Sequence, residues 1–206
     1  MFRSMLATVV ALSLSAPAAW AAPQSWKIDP AHSSFYFSID HIFSKVRGSF
    51  GEYTGEVVFD PANLAASKLH FVVQTASIGT GIDQRDEHLK SADFFEAGKY
   101  PTMEFTSASI SSLKNGTYEA KGEALIKGKK YPLSIPFAYF APKAHPMMED
   151  TRVMGLNAEL PMDRLVYGIG DEKMLAMVGQ KADVFITLEL LDKLIPVLHQ
   201  SSVKKG

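Results

Sequence analysis

Residues 118–128 read YEAKGEALIKG, and the segment alternates. Tyr118, Ala120, Gly122, Ala124 and Ile126 fall on one side; Glu119, Lys121, Glu123 and Lys127 fall on the other. A period of two sends successive side chains to opposite faces of an extended chain, so the segment reads as a strand with one buried face. The same period recurs in both directions. Upstream, SSFYFSI (33–39) aligns Phe35, Phe37 and Ile39, and KLHFVVQ (68–74) aligns Leu69, Phe71 and Val73 against Lys68, His70 and Gln74. Downstream, MGLNAEL (154–160) aligns Leu156, Ala158 and Leu160, and ADVFITLEL (182–190) aligns Val184, Ile186, Leu188 and Leu190. Runs 46–59 and 101–113 are strand-like with interruptions. KKYPLSIPFAYF (129–140) is extended, with Pro132 and Pro136 placing it at an edge or bulge. Asp60-Pro61, Asn115-Gly116 and Lys127-Gly128-Lys129 supply the turns.

These signals predict an all-β chain of about eight antiparallel strands, mostly joined locally, with one or two short helices and no linker that would split the domain. A sandwich and a closed barrel both fit. Small residues on the apolar faces (Ala120, Gly122, Ala124, Ala158) favour a barrel with room for one ligand inside.

Composition narrows the function. The 206 residues carry a formal net charge of −1 and no cysteine. Thiol catalysis, disulfides and cysteine metal sites are therefore excluded. The only basic runs are KGKK (127–130) and Lys204-Lys205, so no nucleic-acid partner is expected. The start, MFRSMLATVVALSLSAPAAWA, has Arg3 as its sole charge, then an apolar run and small residues ending in Ala19-Trp20-Ala21. This reads as a secretory signal over 1–21, cut after Ala21 rather than Ala22, because Pro23 would directly follow the later cut. Residues 22–206 then form the mature domain. No segment within them is long and apolar enough for a transmembrane helix.

The most helical stretch is GIDQRDEHLKSADFF (81–95). Asp83 is the expected N-cap, Asp86 and Glu87 sit near the positive end of the helix dipole, and Asp86 and Lys90 stand four apart. Ser91 or Asp93 offers a second start, and Gly98 a stop. Arg85 and His88 share a face. Phe94-Phe95 must bury at least one ring.

This stretch extends into RDEHLKSADFFEAGKYPTMEFTS (85–107), which resembles the signature of the YceI-like family of lipid- or polyisoprenoid-binding proteins. WKIDPAHSSFYFSIDHIFSKVRGSFGEYTGEVVFDP (26–61) resembles the family's opening, and YEAKGEALIKGKKYPLSIPF (118–137) its central hairpin. The resemblance spans about 26–191. RLVYGIG (164–170) departs from it, with Val166 where an acid is common. The resemblance implies a lipocalin-like barrel in the periplasm, holding a long isoprenoid or acyl chain with its polar head near the mouth.

The expected apolar wall is Phe35, Phe37, Ile39, Phe50, Phe71, Val73, Phe105 and Leu156. Arg85, His88 and Arg164 are the candidates for a ligand head group. Methionines 147, 148, 154, 162, 174 and 177 lie in or beside long loops and suit an adaptable mouth. The six histidines lack HxH or HExxH spacing, so no metal site is expected. No catalytic residue and no cofactor are assigned. G-x-S-x-G is absent, and His32-Ser33 neighbours point to opposite faces of a strand. The leading expectation is a non-enzymatic carrier of an apolar lipid, whether polyisoprenoid, quinone or fatty acyl compound. The alternatives are an enzyme acting on such a lipid, using His88 with Asp86 or Glu87, and a stress-related accessory of a membrane redox protein.

Overall fold

The computed structural model describes residues 24–193. The expected signal segment, with its cut at Ala21 or Ala22, and the tail 194–206 lie outside the described residues. No helix among the described residues is long and apolar enough to cross a membrane.

Eleven strand segments form the wall: β1 (Ser25–Ile28), β2 (Ser34–His41), β3 (Ser44–Phe50), β4 (Tyr53–Val58), β5 (Lys68–Gln74), β6 (Ile78–Gly79), β7 (Thr102–Ser112), β8 (Thr117–Ile126), β9 (Lys129–Ala144), β10 (Thr151–Asp163) and β11 (Val178–Lys193). One α-helix, α1 (Asp83–Lys90), lies between β6 and β7. All pairings are antiparallel. β1 and β2 are halves of one interrupted strand, as are β3 and β4, and β5 and β6. The segments therefore fill eight positions of a closed barrel. Closure runs through β11. One edge of it pairs with β10 from Thr151↔Lys193 to Asp163↔Lys181. The other edge pairs first with β2 and then with β1.

The interruption between β1 and β2 leaves no orphaned ladder. The Asp29 N–H donates to the Glu189 carbonyl at 2.9 Å. The buried Ser33 hydroxyl donates to that carbonyl at 3.1 Å and accepts the Glu189 N–H at 3.0 Å. The Tyr53 hydroxyl donates to the Ser33 carbonyl. A side chain thus stands in for the missing strand pairing.

One end of the barrel is packed solid. Phe59 is its hub, with ring centroids 5.0 Å from Tyr118, 5.5 Å from Phe137 and 5.0 Å from Tyr139. Trp26, Ala120 and Leu190 fill in around it. Burial of each large ring contributes about 2–3 kcal/mol. The small residues read from the sequence as room for a ligand mostly serve other purposes. Ala120 belongs to the packed core and Ala158 packs beside it. At Gly122 a Cβ would fall 2.1 Å from the Thr106 carbonyl oxygen, beside a register shift in the β7–β8 ladder. There glycine permits close contact between strands. Of the four, Ala124 lines the large cavity described below, and Ala158 borders only a void of about 20 Å³.

Pro132 and Pro136 behave as expected. The half of β9 that carries them pairs only with β8, and pairing with β10 begins at Phe137. The missing proline N–H groups fall where the ladder has lapsed on one side.

The helix is built differently from its sequence reading. Ile82 occupies the N-cap with no side-chain bond, and Asp83 is the first helical residue. Asp86 instead reaches back, accepting the Thr80 N–H at 2.8 Å and also the Thr80 hydroxyl. Lys90 pairs with Glu87 at 2.9 Å rather than with Asp86, whose carboxylate is already engaged. Ser91 and Asp93 start no second helix; the chain descends to β7 in turns, with Glu96 at φ +50°.

Ser33→Ala leaves the Glu189 N–H without its partner, while the Glu189 carbonyl keeps only the Asp29 N–H. Denaturant unfolding should show a loss of about 1–3 kcal/mol with the barrel retained.

Candidate functional site

The other end of the barrel is hollow. A cavity of about 450 Å³ lies beneath α1, the segment after it, and the loop between β10 and β11. That volume falls in the range of pockets that enclose most of a drug-sized ligand. Phe35, Phe37, Ile39, Phe50, Phe71, Val73 and Phe105 all line it. Leu156 does not. It pairs with Tyr139 and Leu188 in the packed half of β10, around a second void of only about 20 Å³. Alternation assigns a residue to the inside of a barrel without fixing its height along the axis.

The wall also contains Met103, Leu133, Ile135, Met162, Val184 and Ile186. Val184 and Ile186 stood on the apolar face of their strand in the sequence, a signal that was available. The methionines divide. Met162, Met174 and Met177 line the cavity, and Met154 is buried in the core. Met147 and Met148 lie in the β9–β10 connection at the opposite end. Both rings of Phe94-Phe95 face the cavity. Phe95 packs edge-on against Phe50 at 5.7 Å, and Phe94 against the His88 ring at 5.0 Å.

Three polar candidates reach this cavity with different freedom. Arg85 donates through Nε to the Thr80 hydroxyl at 2.7 Å and through Nη2 to the Thr80 carbonyl at 2.9 Å. Its Nη1 has no hydrogen-bond partner among the described residues. His88 is exposed, with Nε2 3.2 Å from Asp93. Asp86 and Glu87, the acids expected to work with His88, are engaged by Thr80 and Lys90. Arg164 is 4% exposed, and its donors are taken up internally. Nε donates to Gly179 at 2.8 Å, Nη1 to the carbonyls of Ile169 (2.9 Å) and Asp171, and Nη2 to those of Asp171 and Val178. A guanidinium has five N–H groups, so none is left for a ligand head. Burial pulls its pKa down while Asp171 and Asp163 oppose the shift. Arg164 holds the mouth loop in shape, which corrects its reading as a head-group residue.

Lys127 does the same from the β8–β9 turn, and the sequence reading missed it as one more outward charge. Its Nζ donates to the carbonyls of Phe94 and of Gly168, the latter at 2.8 Å. The Gly170 N–H adds a bond to the Asp93 carbonyl at 3.0 Å. Burial pushes the Tyr167 hydroxyl up in pKa, reinforced by Tyr131 and Asp163, so this lining side chain stays neutral.

Asp29, His32 and Glu189 form a separate cluster away from the cavity, with one ligand atom from each lying within 4.8 Å of the others. His32 Nδ1 is 2.8 Å from Asp29 Oδ2. The hydrogen bond to Asp29, then the charges of Asp29 and Glu189, raise the His32 pKa; the bond to His32 is the largest influence lowering that of Asp29. His32, which is exposed, pairs with the half-buried Asp29 beside Glu189 at the interruption between β1 and β2.

A closed antiparallel barrel, solid at one end and hollowed at the other into an apolar cavity beneath a short helix, is the lipocalin type of architecture. The chain belongs to the YceI-like family, whose domain model matches residues 26–190. A UPF0312 protein of Vibrio cholerae is 36% identical over 137 residues, covering 66% of this chain and 72% of that protein. One from Shewanella baltica is 33% identical over the same length. Among solved structures, Burkholderia cenocepacia BcnA aligns with a TM-score of 0.69 at 23% identity, over 81% of this chain and 99% of its own. A polyisoprenoid binding domain from Saccharophagus degradans aligns with a TM-score of 0.59 at 14% identity, over 81% and 97%. At those identities the likeness is one of fold.

Arg164→Lys keeps the charge but cannot satisfy the same set of carbonyls. It should lower stability by about 2–3 kcal/mol and speed amide exchange across 165–181. His32 should titrate above the ordinary histidine value of about 6.5, and Asp29→Asn should bring the midpoint back down in a proton NMR titration. The sign follows from linkage. The raised imidazole stabilises the fold below the unfolded-state pKa, and that contribution is lost as pH rises through the folded value. The contribution of Asp29 is present above its unfolded-state pKa and is lost as pH falls through its lowered folded value.

Proposed function

We propose that this protein is a periplasmic binding and carrier protein for a long apolar lipid, isoprenoid-like in its chain, held in the barrel with its polar head at the Arg85 side of the mouth. The observation that carries this reading is the makeup of the cavity. About 450 Å³ is bounded mainly by phenylalanine, methionine and aliphatic side chains, with Glu104, His41 and Tyr167 among the polar groups that also reach it. One of the two guanidiniums reaching it is taken up by backbone carbonyls, while the other keeps free donors. Apolar surface of this kind contributes about 25 cal/mol per Å² toward holding a hydrocarbon chain, before the cost of association. With no ionic partner among the described residues, Arg85 suits a phosphate, carboxylate or quinone oxygen. Membership of the YceI-like family, and a fold shared with a domain named for polyisoprenoid binding, support the same chemistry. The apolar, weakly charged first 21 residues support export. We assign binding rather than turnover, because the expected acid/base pairing of His88 with Asp86 or Glu87 is not assembled.

Native mass spectrometry and lipid extraction of protein taken from its own periplasm test this directly. A co-purifying isoprenoid or acyl lipid is the expected result. Repeated recovery of empty protein that also refuses added lipid would refute the reading. Arg85→Gln should weaken binding of a lipid with an anionic or quinone head about tenfold, while a headless hydrocarbon of equal length binds as before. Equal losses for both ligands would remove Arg85 from the head-group site.

A further inference from the structure

Six apolar side chains project from the mouth end into solvent. Phe43 is 101% exposed, Ile42 58%, Ile82 52%, Val166 58%, Leu175 42% and Met177 52%. They stand on the β2–β3 turn, the entry to α1 and two parts of the β10–β11 loop. Each segment also lines the cavity: His41 precedes Ile42, Arg85 follows Ile82, Tyr167 follows Val166, and Met174 precedes Leu175. The loops of the mouth are therefore apolar on both sides, toward the cavity and toward solvent.

The foremost turn is held outward by its backbone. Ile42 has φ +52°, a left-handed conformation that a β-branched residue rarely adopts. Asn or Gly would occupy it with less strain. The Ile42 N–H is fixed by the Met177 carbonyl at 2.9 Å, which ties this turn to the adjoining end of the β10–β11 loop, next to the Val178–His41 pair. Phe43, next in the chain, is left with its ring in solvent.

We infer that this rim docks on the surface of a lipid bilayer, with Ile42 and Phe43 inserting first. The inference rests on the lipid-binding reading above and specifies where the ligand is exchanged. The rim is continuous with an apolar cavity, and a ligand of that chemistry resides in a bilayer rather than in water. The six side chains are tips on separate loops, and a deformable surface accommodates them. Two cations near the rim are matched by acids, Lys45–Asp40 at 2.8 Å and Lys99–Glu96 at 3.5 Å, and Arg85, Lys127 and Arg164 are turned onto hydroxyl or carbonyl oxygens of the protein. Adhesion then comes from apolar insertion, and anionic head groups are not required.

Flotation of the full chain with vesicles of phosphatidylcholine alone tests this, with any contribution of residues 1–23 common to every variant. Wild type should float. Phe43→Ser should lower the partition coefficient about tenfold. Phe140→Ser, which removes an exposed ring on the barrel wall, should leave it unchanged. Raising salt from about 0.05 to about 0.5 M should alter binding less than twofold. Phe43→Trp should shift its added emission to the blue when vesicles are present. Absence of flotation by wild type overturns the inference. So does equal flotation of Phe43→Ser, or an equal loss in Phe140→Ser. A dimer that forms without vesicles and is abolished by Phe43→Ser would also overturn it, making a second copy the occupant. Lipid uptake from detergent solution, measured on the same samples, separates the two readings. Uptake retained without flotation rejects docking alone, whereas loss of both rejects the carrier.

Discussion

The structure depends on the hydrogen bonding of β11. A barrel wall is one peptide layer thick, and each backbone group in it must find a partner within that layer. β11 meets the requirement for three neighbours at once: β10 along one edge, and β2 and β1 in succession along the other. The gap between those last two would expose peptide groups, and Ser33 fills it with a hydroxyl that both donates and accepts. Once the wall is self-sufficient, the interior need not be full. Packing at one end can anchor the fold while the other end stays open.

The two ends divide the work accordingly. The solid end is a cluster of rings around Phe59, and its contribution is burial. The hollow end cannot be stabilised in that way, and its loops are held by charge instead. Arg164 gathers carbonyls within the β10–β11 loop and across to β11, and Lys127 bonds to two segments on either side of it. Among the described residues neither cation forms a salt bridge. Each meets the partial negative charge of carbonyl oxygens, an arrangement that holds irregular backbone without a paired carboxylate.

Much of the barrel was legible because alternation is a strong signal where one face is buried. Phe35, Phe71 and Phe105 declared their side of the wall. Their neighbour in the same pattern, Leu156, shows the limit: period two carries no information about height along the axis, and height decides between core and cavity. Ala120 and Gly122 suggested spare volume, yet one fills a packed core and the other accommodates a carbonyl from the adjacent strand. The resemblance carried by residues 85–107 located the mouth. It could not show that Asp86 caps Thr80 rather than serving His88, because that depends on a turn and not on spacing. The role of Arg164 was hidden for a related reason. A buried arginine that binds only backbone leaves no partner residue to find in a sequence.

The bonds from Lys127 and Gly170 have a mechanical consequence. Phe94 and Asp93 belong to the segment descending from α1, while Gly168 and Gly170 belong to the β10–β11 loop, and these bonds join the two. The two flaps are therefore latched to each other. A force that lifts one loads the other through these bonds, so the two segments move as one piece or part together.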